Sequence, residues 1–323
     1  GAATSIVVFK LTERLSDWRW ALVAWALTIS SPFFLILGGS LMSHMAAALF
    51  ITLALYCVVL WQRSGSIRPA GLAGICLGLV FLTRPYTASL VGFALGLWLL
   101  ARGVRNKALP ATLKATLVLA LCAAPCIVAY VAWTRVHVVG EAPPAHMHAA
   151  YDPTDTLGFG ADKGRGWLKT WGSWGHTPAK ALRSVHAYLE HTSLHLLGWP
   201  AGLSFLFVLP AVFYRRSRRC AALLIAPFLA LTAGHMLYWA TQHVGYGARY
   251  WFSAVRALMV LSTLGLRELH RSLQPARAWR NAVLFGWVLS LIAWNLAVYF
   301  PAKFSELHQL AGIRADLART VRD

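Results

Sequence analysis

Acidic side chains are scarce in this sequence, with 11 Asp and Glu against 30 Lys and Arg in 323 residues. Charge of either sign is also low, at 13%, where a soluble domain carries about a quarter. Cysteine is sparse as well. The five present lie in or beside apolar runs, which leaves no basis for a disulfide-built scaffold. No Walker loop, zinc signature, dinucleotide fingerprint or Ser-His-Asp order occurs, so the chemistries those patterns serve have no support in the chain. The sequence starts Gly-Ala-Ala, without Met, a basic leader or a signal-cleavage pattern. Residues 1–9 read as the tail of an apolar helix already under way, and the natural N-terminus is expected upstream.

What the chain has in quantity is apolar surface. Hydrophobic residues make up 58%, with 15 Trp, 15 Phe and 10 Tyr, which excludes disorder. Apolar stretches suited to crossing about 30 Å of hydrocarbon recur at 20–38, 43–61, 69–83, 86–101, 112–133, 194–214, 221–240, 250–267 and 281–300. The expected fold class is therefore all-α, a polytopic transmembrane helix bundle of about nine spans plus a partial one at the N-terminus. Arg84-Pro85 separates the third and fourth stretches; proline disfavours helix at the preceding residue, so these read as two crossings.

The charges have a side. Lys10, Arg14 and Arg19 precede the first full span, and Arg63 and Arg68 join the second to the third. Arg102, Arg105, Lys107 and Lys114 follow the fourth, Arg215, Arg216, Arg218 and Arg219 the sixth, and Arg267, Arg271, Arg277 and Arg280 the eighth. Every second loop is thus basic, against only Glu13, Asp17 and Glu268. The positive-inside rule puts these loops in the cytoplasm. The formal net charge of +19 is then mostly a topology signal, and nucleic-acid binding is excluded because the basic residues sit in short loops without a base-stacking surface.

The opposite side carries eight of the 11 acids and every His except His270 among the 12. It includes a long segment, so the expected organisation is residues 1–133 as N-terminal membrane helices, 134–193 as an extracytoplasmic loop region, 194–300 as C-terminal membrane helices and 301–323 as an extracytoplasmic tail. Within the loop region, Thr177-Pro178 is an N-cap followed by a first-turn proline. The helix after it carries Leu182, Val185 and Leu189 on one stripe, which suits the membrane interface. Trp167, Trp171, Trp174 and Trp199 are expected as interfacial anchors.

Candidate site residues gather on this outer side. His44 starts a span, where an imidazole needs a partner or a cavity. Arg84 and Tyr86 flank the turn between two spans, and an arginine there suits bidentate binding of a phosphate. His243, Tyr246, Arg249 and Tyr250 line a glycine-opened turn into the next span, with Arg256 two turns deeper; two arginines entering lipid imply a cavity or an anion. His176 lies in the outer loop. Asp152 and Asp155, three apart before a glycine-rich turn, are the candidate acids for acid–base work or a divalent cation, although Asp and Thr are equally good turn formers. His191 and His195 lie one turn apart without an obvious third metal ligand. No metal site is assigned, and no cofactor is firmly implied.

Ser30-Ser31-Pro32, then Gly39-Ser40-Leu41-Met42-Ser43-His44, then Gly74-Ile75-Cys76-Leu77-Gly78 through Thr83-Arg84-Pro85 together resemble bacterial polytopic glycosyltransferases of the GT-C type. These include the relatives of the lipid A aminoarabinose transferase and of protein O-mannosyltransferases. Leu157-Gly158-Phe159-Gly160, Gly175-His176-Thr177-Pro178, Leu197-Gly198-Trp199-Pro200 and Gly247-Ala248-Arg249-Tyr250 extend the resemblance over nearly the whole chain. It implies transfer of a sugar from a polyprenyl-phosphate donor to a lipid, glycan or protein acceptor, on the extracytoplasmic face of a bacterial inner membrane. The family's signature acid, in its first outer loop, has no match here and is expected upstream of Gly1. The alternative reading is a transporter or flippase of lipid-linked glycans, which uses the same arginines but needs no catalytic acid.

Overall fold

A computed structural model of the chain describes residues 1–39, 43–137, 157–163, 175–239, 248–273 and 278–310. Among these residues every regular element is helical, and the one β-type pairing is an isolated antiparallel bridge between Gly160 and His176. The helices are α1 (Ala2–Leu15), α2 (Trp18–Ile29), α3 (Pro32–Gly39), α4 (His44–Ser64), α5 (Ile67–Thr83), α6 (Pro85–Arg105) and α7 (Leu109–His137). They continue as α8 (Pro178–His195), α9 (Val208–Phe213), α10 (Arg218–His235), α11 (Phe252–Leu273), α12 (Ala278–Trp294) and α13 (Phe300–Leu310).

Among the described residues four helical stretches are long and apolar enough to cross a bilayer: His44–Ser64, Pro85–Arg105, Leu109–Val136 and Trp279–Glu306. The chain is thus an all-α protein with the features of a membrane protein, and several of the nine expected apolar stretches are not single straight helices. The stretch 20–38 is two helices, α2 and α3, bent by 58° at Ser30-Ser31-Pro32. Proline cannot carry helix through its own N–H, and the Ser31 hydroxyl takes over, accepting from Phe34 N and donating to Leu196 O at 2.6 Å. The stretch 194–214 is not one helix either. It is broken after His195 by a turn with Gly198 at φ +67°, then a 3₁₀ segment (Pro200–Phe205), then the six-residue α9.

The stretch 250–267 is helical in α11, but it is the core of the protein rather than a lipid-facing span. Every residue from Phe252 to Glu268 is buried, on all faces of the helix. A helix apolar all round is an interior helix, and α1, α2, α4, α9 and α10 pack against it. Arg267 and Glu268 at its basic end are buried with it; the Arg267 guanidinium pairs with Glu268 at 2.8 Å and also donates to Leu15 O, tying α1 to the core. The peripheral helices are the reverse case. Only 17% of the α7 crossing window is buried, against 61% for α4. Leu113, Leu117, Leu121 and Val128 of α7 point outward at helical spacing, an apolar outer face of the kind that meets lipid or another apolar surface.

Small residues permit the closest approaches. Gly71, Gly74 and Gly78 give α5 a smooth stripe against α7: a Cβ at Gly74 would stand 2.2 Å from Leu119 O, and one at Gly78 2.9 Å from Cys126 Cβ. Cys122 and Cys126 therefore pack this interface, and all five cysteines are free thiols. At the other end of the chain, the expected boundary at 300–301 is absent. The last long helix runs on past Pro301 through a π-helical segment, Asn295–Tyr299, whose wider turn relieves the proline's clash and missing N–H. Asn295 uses that bulge to donate its amide to Ser30 O, so the α2–α3 break and the π segment brace each other.

Candidate functional site

The end of the bundle opposite the basic loops gathers a polar aromatic cluster from four separate regions. Arg84 caps the α5–α6 break, held there because Pro85 forbids a continuous helix and starts α6. Its Nη1 lies 2.8 Å from Nδ1 and 3.0 Å from Nε2 of His44, at the start of α4. The guanidinium can only donate, so His44 presents an unprotonated nitrogen to it. Burial brings the Arg84 pKa down to about 10, with Tyr250 opposing and Arg249 adding to the shift; the group stays charged at neutral pH.

Tyr250 is the shared surface. Arg84 Cζ lies 5.8 Å and Arg249 Cζ 5.2 Å from its ring centre, and Arg249 Nη2 donates to its hydroxyl at 3.3 Å. The Tyr250 ring also stacks on His235 at 5.1 Å, and Tyr86 meets His235 edge-on at 5.4 Å while its hydroxyl donates to Gly234 O. Tyr238 packs edge-on to Tyr250 at 5.6 Å. His235 donates Nδ1–H to Leu231 O at 2.8 Å, which fixes the ring and leaves Nε2 for a second partner.

The structure therefore brings together five of the residues singled out in sequence: His44, Arg84, Tyr86, Arg249 and Tyr250. It adds His235 and Tyr238. Their signal was available only as a trend, since His235 is one of many histidines on the outer side and Tyr238 has no motif around it. Asp152, Asp155, His243 and Tyr246 lie outside the described residues. His176 stacks on Phe159 at 5.2 Å and donates Nε2–H to Met236 O at 2.8 Å, strapping the outer loop to the chain between His235 and Tyr238.

Other expectations change. Arg256 does not share a water-filled path with Arg249; it is 1% exposed, sandwiched over Phe252 at 3.7 Å and Phe34 at 4.9 Å, and donates to Phe252 O. Trp199 is no interfacial anchor, because it is buried edge-on against Phe207 at 5.4 Å. The Thr177-Pro178 start of α8 is as expected, with Thr177 Oγ1 accepting from Lys180 N. That helix turns Ala181, Tyr188, Thr192 and His195 inward and leaves Leu182 and Leu189 exposed. Among the described residues no group of three or more potential ligands could hold a metal ion.

His195 is committed instead to Tyr299, whose hydroxyl lies 2.8 Å from Nδ1. Burial, then the nearby Lys303 charge, brings its pKa down to about 4. The unfolded chain protonates this imidazole near pH 6.5 and the folded one does not, so the stability it contributes is complete above pH 6.5 and is lost as pH falls toward 4. The expected loss is on the order of 3 kcal/mol. Thermal unfolding in detergent across that range checks it, and His195→Asn should flatten the profile.

Among the described residues no carboxylate pairs with Arg84, Arg249 or Arg256, whereas Glu13 pairs with Lys10, Glu268 with Arg267 and Arg271, and Glu306 with Lys303. Two partly buried guanidiniums over one tyrosine, with a histidine in contact and no carboxylate among the described residues paired to either, form a site suited to an anionic group. Comparison of the chain with protein-family profiles, with curated proteins and with solved structures returns no match.

Proposed function

We propose that the chain is part of an integral membrane glycosyltransferase that takes a sugar from a polyprenyl-phosphate donor. In this reading the four long apolar helices cross a bacterial inner membrane, and the bent α2–α3 pair, α5, α10 and α11 complete the bundle. The single observation that carries it is the Arg84–Tyr250–Arg249 arrangement, with His44 against Arg84 and no carboxylate among the described residues to neutralise either arginine. Desolvating a guanidinium without a counter-anion is costly, and a ligand phosphate at the outer membrane boundary would relieve that cost. Two guanidiniums would also stabilise the charge that builds on a phosphate as the sugar departs. The rings of Tyr86, Tyr238, Tyr250 and His235 offer hydroxyls and flat faces beside it, which suits a sugar.

The test is the protein reconstituted in liposomes with a radiolabelled polyprenyl-phosphate sugar and a membrane-extract acceptor. Label moving from the lipid fraction to an acceptor is the expected result. Donor that crosses the bilayer with its sugar bond intact would instead support the transporter reading, in which the same arginines hold the phosphate without breaking a bond.

A further inference from the structure

A cavity of about 660 Å³ lies at the basic end of the bundle, against the part of α11 remote from the Tyr250 cluster. Its walls come from the starts of α2 and α12 and the end of α11. Trp20, His270 and Phe285 form an aromatic triangle with ring centres 5.6–6.0 Å apart, and His270 is oriented by donating Nδ1–H to Asn281 Oδ1 at 3.0 Å. Arg19 and Arg271 stand at the cavity. The acids nearby are already committed. Asp17 caps α2, accepting from Arg19 N and Trp20 N, and Glu268 is shared between Arg267 and Arg271. The cavity is therefore net basic.

The surroundings are those of a bilayer boundary. Trp18 lines the cavity at the start of α2 and Trp279 stands at the start of α12, each 56% exposed, and each carries its neighbouring arginine over its ring, Arg19 at 5.6 Å and Arg280 at 5.7 Å. Exposed Trp–Arg pairs of this kind sit at the level of lipid headgroups. Farther along, the same two helices expose Leu22, Trp25 and Ile29 on one and Val283 and Trp287 on the other. A basic pocket that opens between two apolar helix faces matches the shape of a lipid, with its phosphate in the pocket and its chains along the helices.

We infer that this cavity binds an anionic glycerophospholipid of the basic-side leaflet, its phosphate held by Arg19 and Arg271 against the Trp20–His270–Phe285 wall. The inference rests on the membrane placement of the helices and not on any transfer chemistry at the Tyr250 cluster. It gives the protein a built-in preference for membranes rich in acidic lipid and fixes the starts of α2 and α12 relative to the core helix.

The experiment is native mass spectrometry of the full chain released from vesicles of equal phosphatidylglycerol and phosphatidylcholine. One retained phosphatidylglycerol, preferred at least about tenfold, is the expected result, since each interfacial arginine contributes roughly fivefold and two line the cavity. Arg19→Gln with Arg271→Gln should reduce the preference to within about twofold, while Arg14→Gln with Arg218→Gln, basic residues of the same side that do not line the cavity, should leave it intact. Equal retention of the two lipids by the unaltered protein overturns the inference, as does an unchanged preference in the cavity variant. Displacement of the lipid by millimolar glycerol phosphate also overturns it, because the site would then read a soluble phosphate; that arm uses the unaltered protein and stands even where the double variant fails to fold. Sugar-transfer activity is read separately, so a failed transferase reading leaves this outcome unaffected.

Discussion

Replacing Arg84 by alanine is expected to reduce sugar transfer by about 100-fold or more, the scale seen when one donor to a developing negative charge is removed from a buried site. The substitution deletes the cation facing Tyr250 and leaves His44, which is 4% exposed, without its partner. The α5–α6 break itself survives, because Pro85 and the Arg84 backbone N–H to Val80 O bond maintain it. Thermal stability should accordingly change little. Arg84→Lys keeps a charge but not the planar fork, and should recover only part of the activity. Arg249→Ala should resemble Arg84→Ala if the two share one phosphate. Near-normal turnover in Arg84→Ala at normal expression would remove the basis for the transferase reading. Normal donor binding with lost turnover would place Arg84 on the departing phosphate alone.

The largest structural effect is expected at Gly265. A Cβ there would stand 1.6 Å from the carbonyl oxygen of Phe207 and 2.8 Å from its carbon, so backbone must move. The α9 start would have to withdraw from α11, pulling Phe207 out from between Trp199 and Trp287, which it meets at 5.4 and 5.6 Å. Overpacking of this kind costs about 1–3 kcal/mol and here should reach the upper end or beyond it, because the obstacle is main chain and cannot change rotamer. Gly286→Ala is the matched control. Nothing lies within 4 Å of a Cβ at that position in the middle of α12, so the same change should stabilise by roughly 0.5–1 kcal/mol through helix propensity. Unfolding temperatures of the two variants in one detergent should therefore move in opposite directions. Equal shifts would mean that α9 does not rest on α11 at Gly265.

Much of the architecture was legible in the order of residues because the relevant physics is local. Pro85 after Arg84 ends one apolar helix and starts the next, and Thr177-Pro178 starts another. The alternation of basic loops separates two ends of the bundle, and Arg84, Tyr86, His44, Arg249 and Tyr250 were picked out because polar groups at the outer mouths of apolar helices need a reason to be there. Asn295 was invisible by contrast: an asparagine in an apolar run has no signature until Ser30 O is found opposite it. The π segment and the passage of the helix through Pro301 follow from that contact, and periodicity does not report it.

Composition and loop charge by themselves determined that this is an all-α chain built for an apolar surrounding, with its cations collected at one end. Hydropathy could not decide which apolar stretch meets lipid and which meets protein, since a leucine is equally at home in either. The tertiary structure made that choice. It buried α11 on every face, left α7 mostly uncovered, and placed Arg256 inside the core rather than on a path with Arg249. It also joined His235 and Tyr238 to residues up to two hundred positions away, because packing around one central helix, and not sequence spacing, determines which side chains share the outer end of the bundle.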